Sequence, residues 1–232
     1  MSRVALITGT RKGIGFALAE HLLSKGWIVV GCSRKEAEIK SANYHHYYLD
    51  ITDEKAVVNM VRQIKRQSAP VYALINNAGI ASMNHILLTP TQSCSALFET
   101  NVVGSFTVLR ECAKQMRHQK GGRIINLSSI AALLSLEGES IYAASKAAIE
   151  SLTRTAAREL GAFGITVNAI GPNPVDTDLI RTVPKETLEK LIKRQTIQRA
   201  GTTADIANCV DFFLRDESEF ITGQILYLGG VS

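Results

Sequence analysis

The chain reads as one α/β domain: a doubly wound parallel sheet of about seven strands with helices on both faces. Three observations carry this. Short apolar stretches alternate with amphipathic ones from end to end, and the apolar stretches are continuous rather than alternating in polarity. A glycine-rich turn also joins the first apolar stretch to the first amphipathic one. A sheet of this kind leaves a crevice outside the carboxyl ends of its strands, where ligands bind.

Taken in order, residues 3–8 form a short buried strand, followed by Thr8-Gly9-Thr10-Arg11-Lys12-Gly13-Ile14-Gly15 and a helix to about Lys25-Gly26. Residues 27–32 make the second strand, which ends at Ser33-Arg34-Lys35. The next strand, 45–49, runs into Asp50-Ile51-Thr52. Too few residues precede it for a full crossover helix, so a turn or a fragment of helix is expected there. Residues 53–68 show helical periodicity in Val57, Met60, Val61 and Ile64, with Asp53 as cap or in the first turn and Pro70 as stop. Residues 71–75 form the fourth strand and lead to Asn76-Asn77-Ala78-Gly79. Thr89-Pro90, as cap and first helical residue, opens one helix reaching about Gln119. Strand 123–128, helix 140–162 and strand 164–170 follow. Residues 171–200 begin with prolines and become charged and helical, forming a mobile flap at about 175–198. Helix 203–215 and strand 224–228 close the single domain, residues 1–232.

Composition narrows the function classes. The chain is 46% hydrophobic and 20% charged, ordinary for a soluble domain. No apolar run approaches the roughly 18 residues of a membrane span, and Val4–Ile7 is too short for a signal-peptide core, so a cytoplasmic protein is expected. The net charge of +5 is spread along the chain, without the basic stripe and interleaved aromatics of a nucleic-acid binder. Four cysteines show no C-x-x-C and five histidines no H-x-x-x-H, which leaves free thiols and no metal site.

The chemistry gathers at the strand ends. Gly9, Gly13 and Gly15 let the backbone come close to a ligand, and the helix start favours an anion such as pyrophosphate. Their G-x-x-x-G-x-G spacing departs from the G-x-G-x-x-G fingerprint. The acidic residue that would hold a ribose 2′-hydroxyl after the second strand is replaced by Ser33 and Arg34. With Lys12 in the glycine loop, they suit a 2′-phosphate and disfavour NAD. Tyr142 and Lys146 share a helix face one turn apart, so the ammonium is expected to lower the phenol's pKa towards neutrality. Ser129, at the end of the preceding strand, is placed to share a substrate oxygen with Tyr142. Alone, a Tyr-x-x-x-Lys pair is weak evidence.

Together the motifs are specific. Thr8-Gly9-x-x-x-Gly13-Ile14-Gly15, Asn76-Asn77-Ala78-Gly79, Asn101, Ser129, Tyr142-x-x-x-Lys146 and Pro172-x-x-Val175-x-Thr177 resemble, in order and spacing, the short-chain dehydrogenase/reductase family in its compact form. The resemblance covers nearly the whole chain and implies a Rossmann-type domain binding NADP(H). In it the glycine loop, Gly9 to Gly15, binds on the pyrophosphate side, and Lys12 with Arg34 forms the basic pair. Asp50 and Ile51 meet adenine, while Asn77, Ala78 and Gly79 line the adjoining ribose pocket. Tyr142 is general acid in reduction and base in oxidation; Lys146 lowers its pKa and bonds the nicotinamide ribose. Ser129 positions the carbonyl, and Asn101 holds a water linking Lys146 to a proton relay. Pro172 belongs to the motif whose Val175 and Thr177 hold the carboxamide. Asn173-Pro174 replaces the usual glycine after Pro172, which stiffens that turn.

Within the family the pattern is similar to 3-oxoacyl-[acyl-carrier-protein] reductases, which implies an NADPH-dependent ketone reductase acting on a 3-oxoacyl thioester, with acyl carrier protein as a partner. The alternatives are an NADP(H)-binding regulatory protein without turnover and an alcohol dehydrogenase of another small substrate. The alanine-rich 140–162 helix and the helix carrying Asn101 match surfaces the family uses to assemble, implying a homotetramer or homodimer.

Overall fold

The computed structural model describes residues 3–176 and 185–231. Seven strands, β1 (Val4–Thr8), β2 (Ile28–Ser33), β3 (Tyr44–Tyr48), β4 (Ala73–Asn76), β5 (Gly122–Leu127), β6 (Ile165–Gly171) and β7 (Ile225–Tyr227), pair in parallel in the order β3-β2-β1-β4-β5-β6-β7. The chain builds outward from β1 through β2 to β3, then returns to lay β4 on the other side of β1. That reversal opens the crevice between β1 and β4.

The continuous apolarity of the strands follows from burial on both faces. On one face Leu6, Val30, Leu74, Ile124 and Val167 pack under α2 (Glu54–Gln67), α4 (Ser105–Gln119) and α6 (Ser140–Leu160). On the other, Ala5, Ile7, Val29, Ile75 and Ile125 pack under α1 (Gly13–Ser24) and α8 (Thr203–Leu214). Helix α2 presents Val57, Met60, Val61 and Ile64 as its buried stripe, and Asp53 caps it by accepting the Ala56 N–H at 3.0 Å. Among the described residues no helix is long and apolar enough to cross a membrane.

Residues 34–43 hold bends and a turn but no helix, the first of the two forms the spacing allowed, and carry β2 to the edge strand β3. Other local readings change. The single helix expected from Pro90 to Gln119 is α3 (Thr91–Phe98), a π-helical segment (Glu99–Gly104) and α4. Pro90 is the residue before that helix rather than its first, because a 3-10 turn at Ile86–Leu88 precedes it. The Thr89 hydroxyl donates to the carbonyls of Asn84 and His85 instead of capping. A one-turn helix, α5 (Ala131–Leu134), was not read from the sequence. Of the expected flap, α7 (Lys185–Lys193) is helical, whereas the stretch from 177 to 184 lies outside the described residues.

Ile75 is fully buried in central β4. Ile75→Ala is expected to lower the free energy of unfolding by roughly 2–5 kcal/mol, measured by urea denaturation; a loss under about 1 kcal/mol would contradict the packing described.

Candidate active site

The two strands flanking the crevice are tied at their carboxyl ends. Thr8 Oγ1 accepts the N–H groups of Asn77 and Ala78 at 3.0 and 2.9 Å, and Asn77 Nδ2 donates to the Thr8 and Gly9 carbonyls. This interlock requires glycine. A Cβ on Gly15 would sit 2.4 Å from both Asn77 Nδ2 and the Gly9 oxygen, and Gly9 itself has φ +76°. The backbone of the loop is thereby held open towards the cleft, beside the N–H groups that the start of a helix leaves without an intrahelical partner.

From this point a cleft of about 1060 Å³ follows the strand ends. Lys12, Ser33, Arg34 and Lys35 line it beside β2. Gly9, Arg11, Gly13, Ile14, Asp50, Ile51, Asn77, Ala78 and Gly79 line its middle, and Ser129, Tyr142, Lys146, Pro172 and Val175 its far part. Thr10, Gly15 and Asn101 are buried behind the wall instead of lining it. Thr177 lies outside the described residues.

The π-helical segment explains where Asn101 goes. Widening the helix by one residue per turn turns the Asn101 carboxamide inward. There it accepts the Ile80 N–H and donates to the Ile80 carbonyl, each at 2.9 Å, and donates to Ser145 Oγ at 3.0 Å. Ser145 in turn donates to the Tyr142 carbonyl at 2.7 Å, so Asn101 braces the turn of α6 that carries both Tyr142 and Lys146. Gly79 leaves room for this: a Cβ there would lie 3.2 Å from Asn101 Oδ1 and 3.6 Å from Lys146 Nζ.

Lys146 is buried and its ammonium donates to the Leu127 carbonyl, at the end of β5, at 2.8 Å. Burial pushes its pKa down to about 8. Ser129, beside Tyr142, favours the phenolate, yet burial, reinforced by the negative charge of Glu139, pushes the phenol up to about 12. The expectation that the lysine lowers the tyrosine's pKa is therefore not met in this arrangement. The reason is geometric: Lys146 Nζ is spent on the Leu127 carbonyl, 5.8 Å from the Tyr142 ring centroid, and is itself desolvated. Near neutral pH the phenol beside Ser129 is therefore protonated.

Two supports were not read from the sequence. Glu150, on the same α6 face at the next turn after Lys146, accepts the hydroxyls of Ser128 (2.7 Å) and Tyr227 (2.5 Å), fixing the end of β5 beside Ser129. Its spacing, four after Lys146 and eight after Tyr142, was the available signal. Asn173, which takes the glycine's place, has an ordinary negative φ. Its buried amide bonds Gln195 and occupies space that the absent side chain of Gly229 leaves, so the Pro172-Asn173-Pro174 turn is tied to the chain after α7.

A doubly wound sheet whose crevice joins a glycine loop to a serine, a tyrosine and a buried lysine defines a nucleotide-dependent oxidoreductase. The comparisons with known proteins agree. A family model described as "Enoyl-(Acyl carrier protein) reductase" matches residues 9–231. The 3-oxoacyl-[acyl-carrier-protein] reductase FabG of Staphylococcus epidermidis is 33% identical over 240 residues, covering 99% of this chain and 98% of that protein. Among solved structures, ElxO with NADP bound superposes with a TM-score of 0.91 at 29% identity, covering 98% of this chain and 97% of that one. A gluconate 5-dehydrogenase from Burkholderia cenocepacia, in complex with NADP and tartrate, does so at 0.92 and 27%, covering 99% and 95%. The chain belongs to the short-chain dehydrogenase/reductase family.

Lys146 is expected to be charged below a pH of about 8 and neutral above it. Side-chain NMR of the lysine ammonium groups should show one titration near that value, absent in Lys146→Met; a Lys146 that stays charged to pH 10 would contradict the desolvation argument.

Proposed function

We propose that the protein is an NADPH-dependent carbonyl reductase whose substrate is a 3-oxoacyl thioester carried on acyl carrier protein. One observation carries the reading. The same cleft holds a protonated tyrosine beside Ser129 in its far part and an array of basic side chains, with no carboxylate ending β2, beside that strand.

The residues fit this cofactor. Gly9, Gly13 and Gly15 with the start of α1 would hold the pyrophosphate, and Thr10, Arg11 and Ile14 shape that loop. Lys12, Ser33 and Arg34 face the place of the 2′-phosphate; among the described residues Arg34 makes a long ion-pair contact, 3.9 Å, to Asp50. Asp50 and Ile51 would border the adenine, Asn77, Ala78 and Gly79 the adjoining ribose, and Pro172, Val175 and Thr177 the nicotinamide side. NADPH, when bound, supplies the hydride. The chain supplies the rest: Ser129 orients the ketone oxygen, Tyr142 gives it a proton, and Lys146 in its charged form favours the resulting phenolate. Asn101 keeps the Tyr142–Lys146 turn in place and stands at the start of the proton relay.

The substrate class is supported by the near-complete alignment with the Staphylococcus epidermidis reductase and by the net charge of +5, which suits an acidic carrier. Free cysteines, two of them buried, suit a reducing compartment, the cytoplasm. The family model's description favours a second reading, reduction of an enoyl thioester.

The test is cofactor consumption, NADPH beside NADH, with 3-oxoacyl thioesters, enoyl thioesters and simple ketones. Turnover of 3-oxoacyl thioesters with NADPH is expected, and Tyr142→Phe should lower kcat by about 10²–10⁴-fold while leaving NADPH binding intact. Turnover of enoyl thioesters alone would favour the second reading, and an unchanged rate in Tyr142→Phe would remove the tyrosine from the mechanism.

The assembly is proposed to be a homotetramer built on the π-helical segment and α4, where Val103 and Phe106 are exposed, and on the alanine-rich α6. Light scattering at micromolar concentration should give four times the chain mass; a monomer would refute it.

A further inference from the structure

Beside β2 the cleft lacks a device that doubly wound sheets ordinarily have. With no helix between β2 and β3, no helix N-terminus follows Ser33 to fix the turn or to favour an anion. Recognition of a phosphate there falls to side chains on a bare turn, and Arg34 and Lys35 are both exposed. A flexible turn would have to be ordered at each binding event, at an entropic cost that weakens affinity.

The edge strand provides a substitute. Tyr44, His46 and Tyr48 alternate onto one face of β3, and the parallel register sets His46 beside Gly31 and Tyr48 beside Ser33. His46 Nε2 lies 3.1 Å from both the Lys35 carbonyl and Ser33 Oγ, and Ser33 Oγ donates to the same carbonyl at 2.5 Å. A carbonyl only accepts and the Ser33 proton is already committed, so Nε2 carries the hydrogen and donates. Nδ1 is then the acceptor, and it takes the Tyr44 hydroxyl proton at 2.7 Å. The Tyr44 oxygen in turn accepts from Thr10 Oγ1 at 2.9 Å. The chain of bonds therefore runs from the glycine loop through Tyr44 and His46 to the turn after β2. Gly31 is its precondition, since a Cβ there would fall 2.2 Å from the Tyr44 hydroxyl and 2.3 Å from Thr10 Oγ1. Thr10 and Gly31 are buried and His46 is half-buried, so this is built structure.

We infer that His46 is a positioning residue for 2′-phosphate recognition: it clamps the Ser33–Lys35 turn to the glycine loop, so that Arg34 meets a 2′-phosphorylated nucleotide without first having to be ordered. The inference rests on the NADPH reading above. It also assigns the Ser33 hydroxyl proton to the turn instead of to the ligand.

The test compares 2′,5′-ADP with 5′-AMP, which differ only in the 2′-phosphate, by calorimetry on the intact protein, and NADPH with NADH in turnover. His46→Ala should weaken 2′,5′-ADP about tenfold and change 5′-AMP less than about twofold. It should raise KM for NADPH and leave kcat at saturating NADPH unchanged. His46→Gln, which keeps a donor at the Nε2 position, should recover most of the loss. Equal weakening of both nucleotides would make His46 a general support of the loop and overturn the inference, as would unchanged 2′,5′-ADP binding or failure of the glutamine variant to restore it in a folded protein. A wild-type protein that binds 5′-AMP as tightly as 2′,5′-ADP would overturn the cofactor reading itself, and this inference with it.

Discussion

The site depends on how closely the ends of β1 and β4 are drawn together. Thr8 and Asn77 spend their side chains on backbone groups of the opposite strand end, and Gly9 and Gly15 permit the contact by having none. Each tie satisfies polar groups that the sheet ladder leaves unpaired where the strands stop. The glycine loop is consequently not a floppy turn. It is a rigid lip on the crevice, presenting backbone N–H groups that need no reorganisation to meet an anion. Asn77, read from the sequence as a cofactor contact, lines the cleft while its amide builds that lip.

The same logic governs the far part of the cleft. Tyr142 and Lys146 occupy one face of α6, but helical spacing does not decide their chemistry. Burial raises the phenol and lowers the ammonium, each towards its neutral form. Both groups are therefore held in a costly environment, and the Asn101 carboxamide, the Leu127 carbonyl and the Ser145 hydroxyl supply the bonds that keep them there. Any anion that forms in the cleft would be met by an ammonium already stripped of water, where attraction is stronger than in bulk solvent.

What the sequence disclosed follows from the range of each interaction. Strand and helix order was legible because apolar periodicity is local. That the glycine loop, Ser129, Tyr142 and Lys146 would share one cleft was legible because their spacing places each of them at a strand end or on one helix face. The break at Asn101 was not: a π turn preserves the surrounding apolar pattern, and the partner of the Asn101 carboxamide, the Ile80 backbone, lies 21 residues away. The pKa of Tyr142 was misread because spacing reports proximity and says nothing of desolvation. His46 was passed over although Tyr44, His46 and Tyr48 alternate visibly, because the partner face, Gly31 and Ser33, is fixed only by register in the sheet.

The two departures from the family pattern share a physical theme. After β2 a missing helix is replaced by hydrogen bonds from an edge strand. After β6 a glycine is replaced by Asn173, whose amide is received by Gln195 over the bare Cα of Gly229. In both places chain that would otherwise be loose is anchored by a side chain to a distant backbone segment. A glycine has been retained where the anchor needs space, Gly31 in the first case and Gly229 in the second. Asn173 also couples the turn in the far part of the cleft to Gln195, and the next residues, Thr196 and Ile197, are hydrogen-bonded to Gly230 and Gly229. The carboxyl-terminal glycines, distant from Tyr142 in sequence, are thereby joined through Gln195 and Asn173 to the turn that leads into Val175, so this wall of the cleft is built from three chain segments rather than from the proline turn alone.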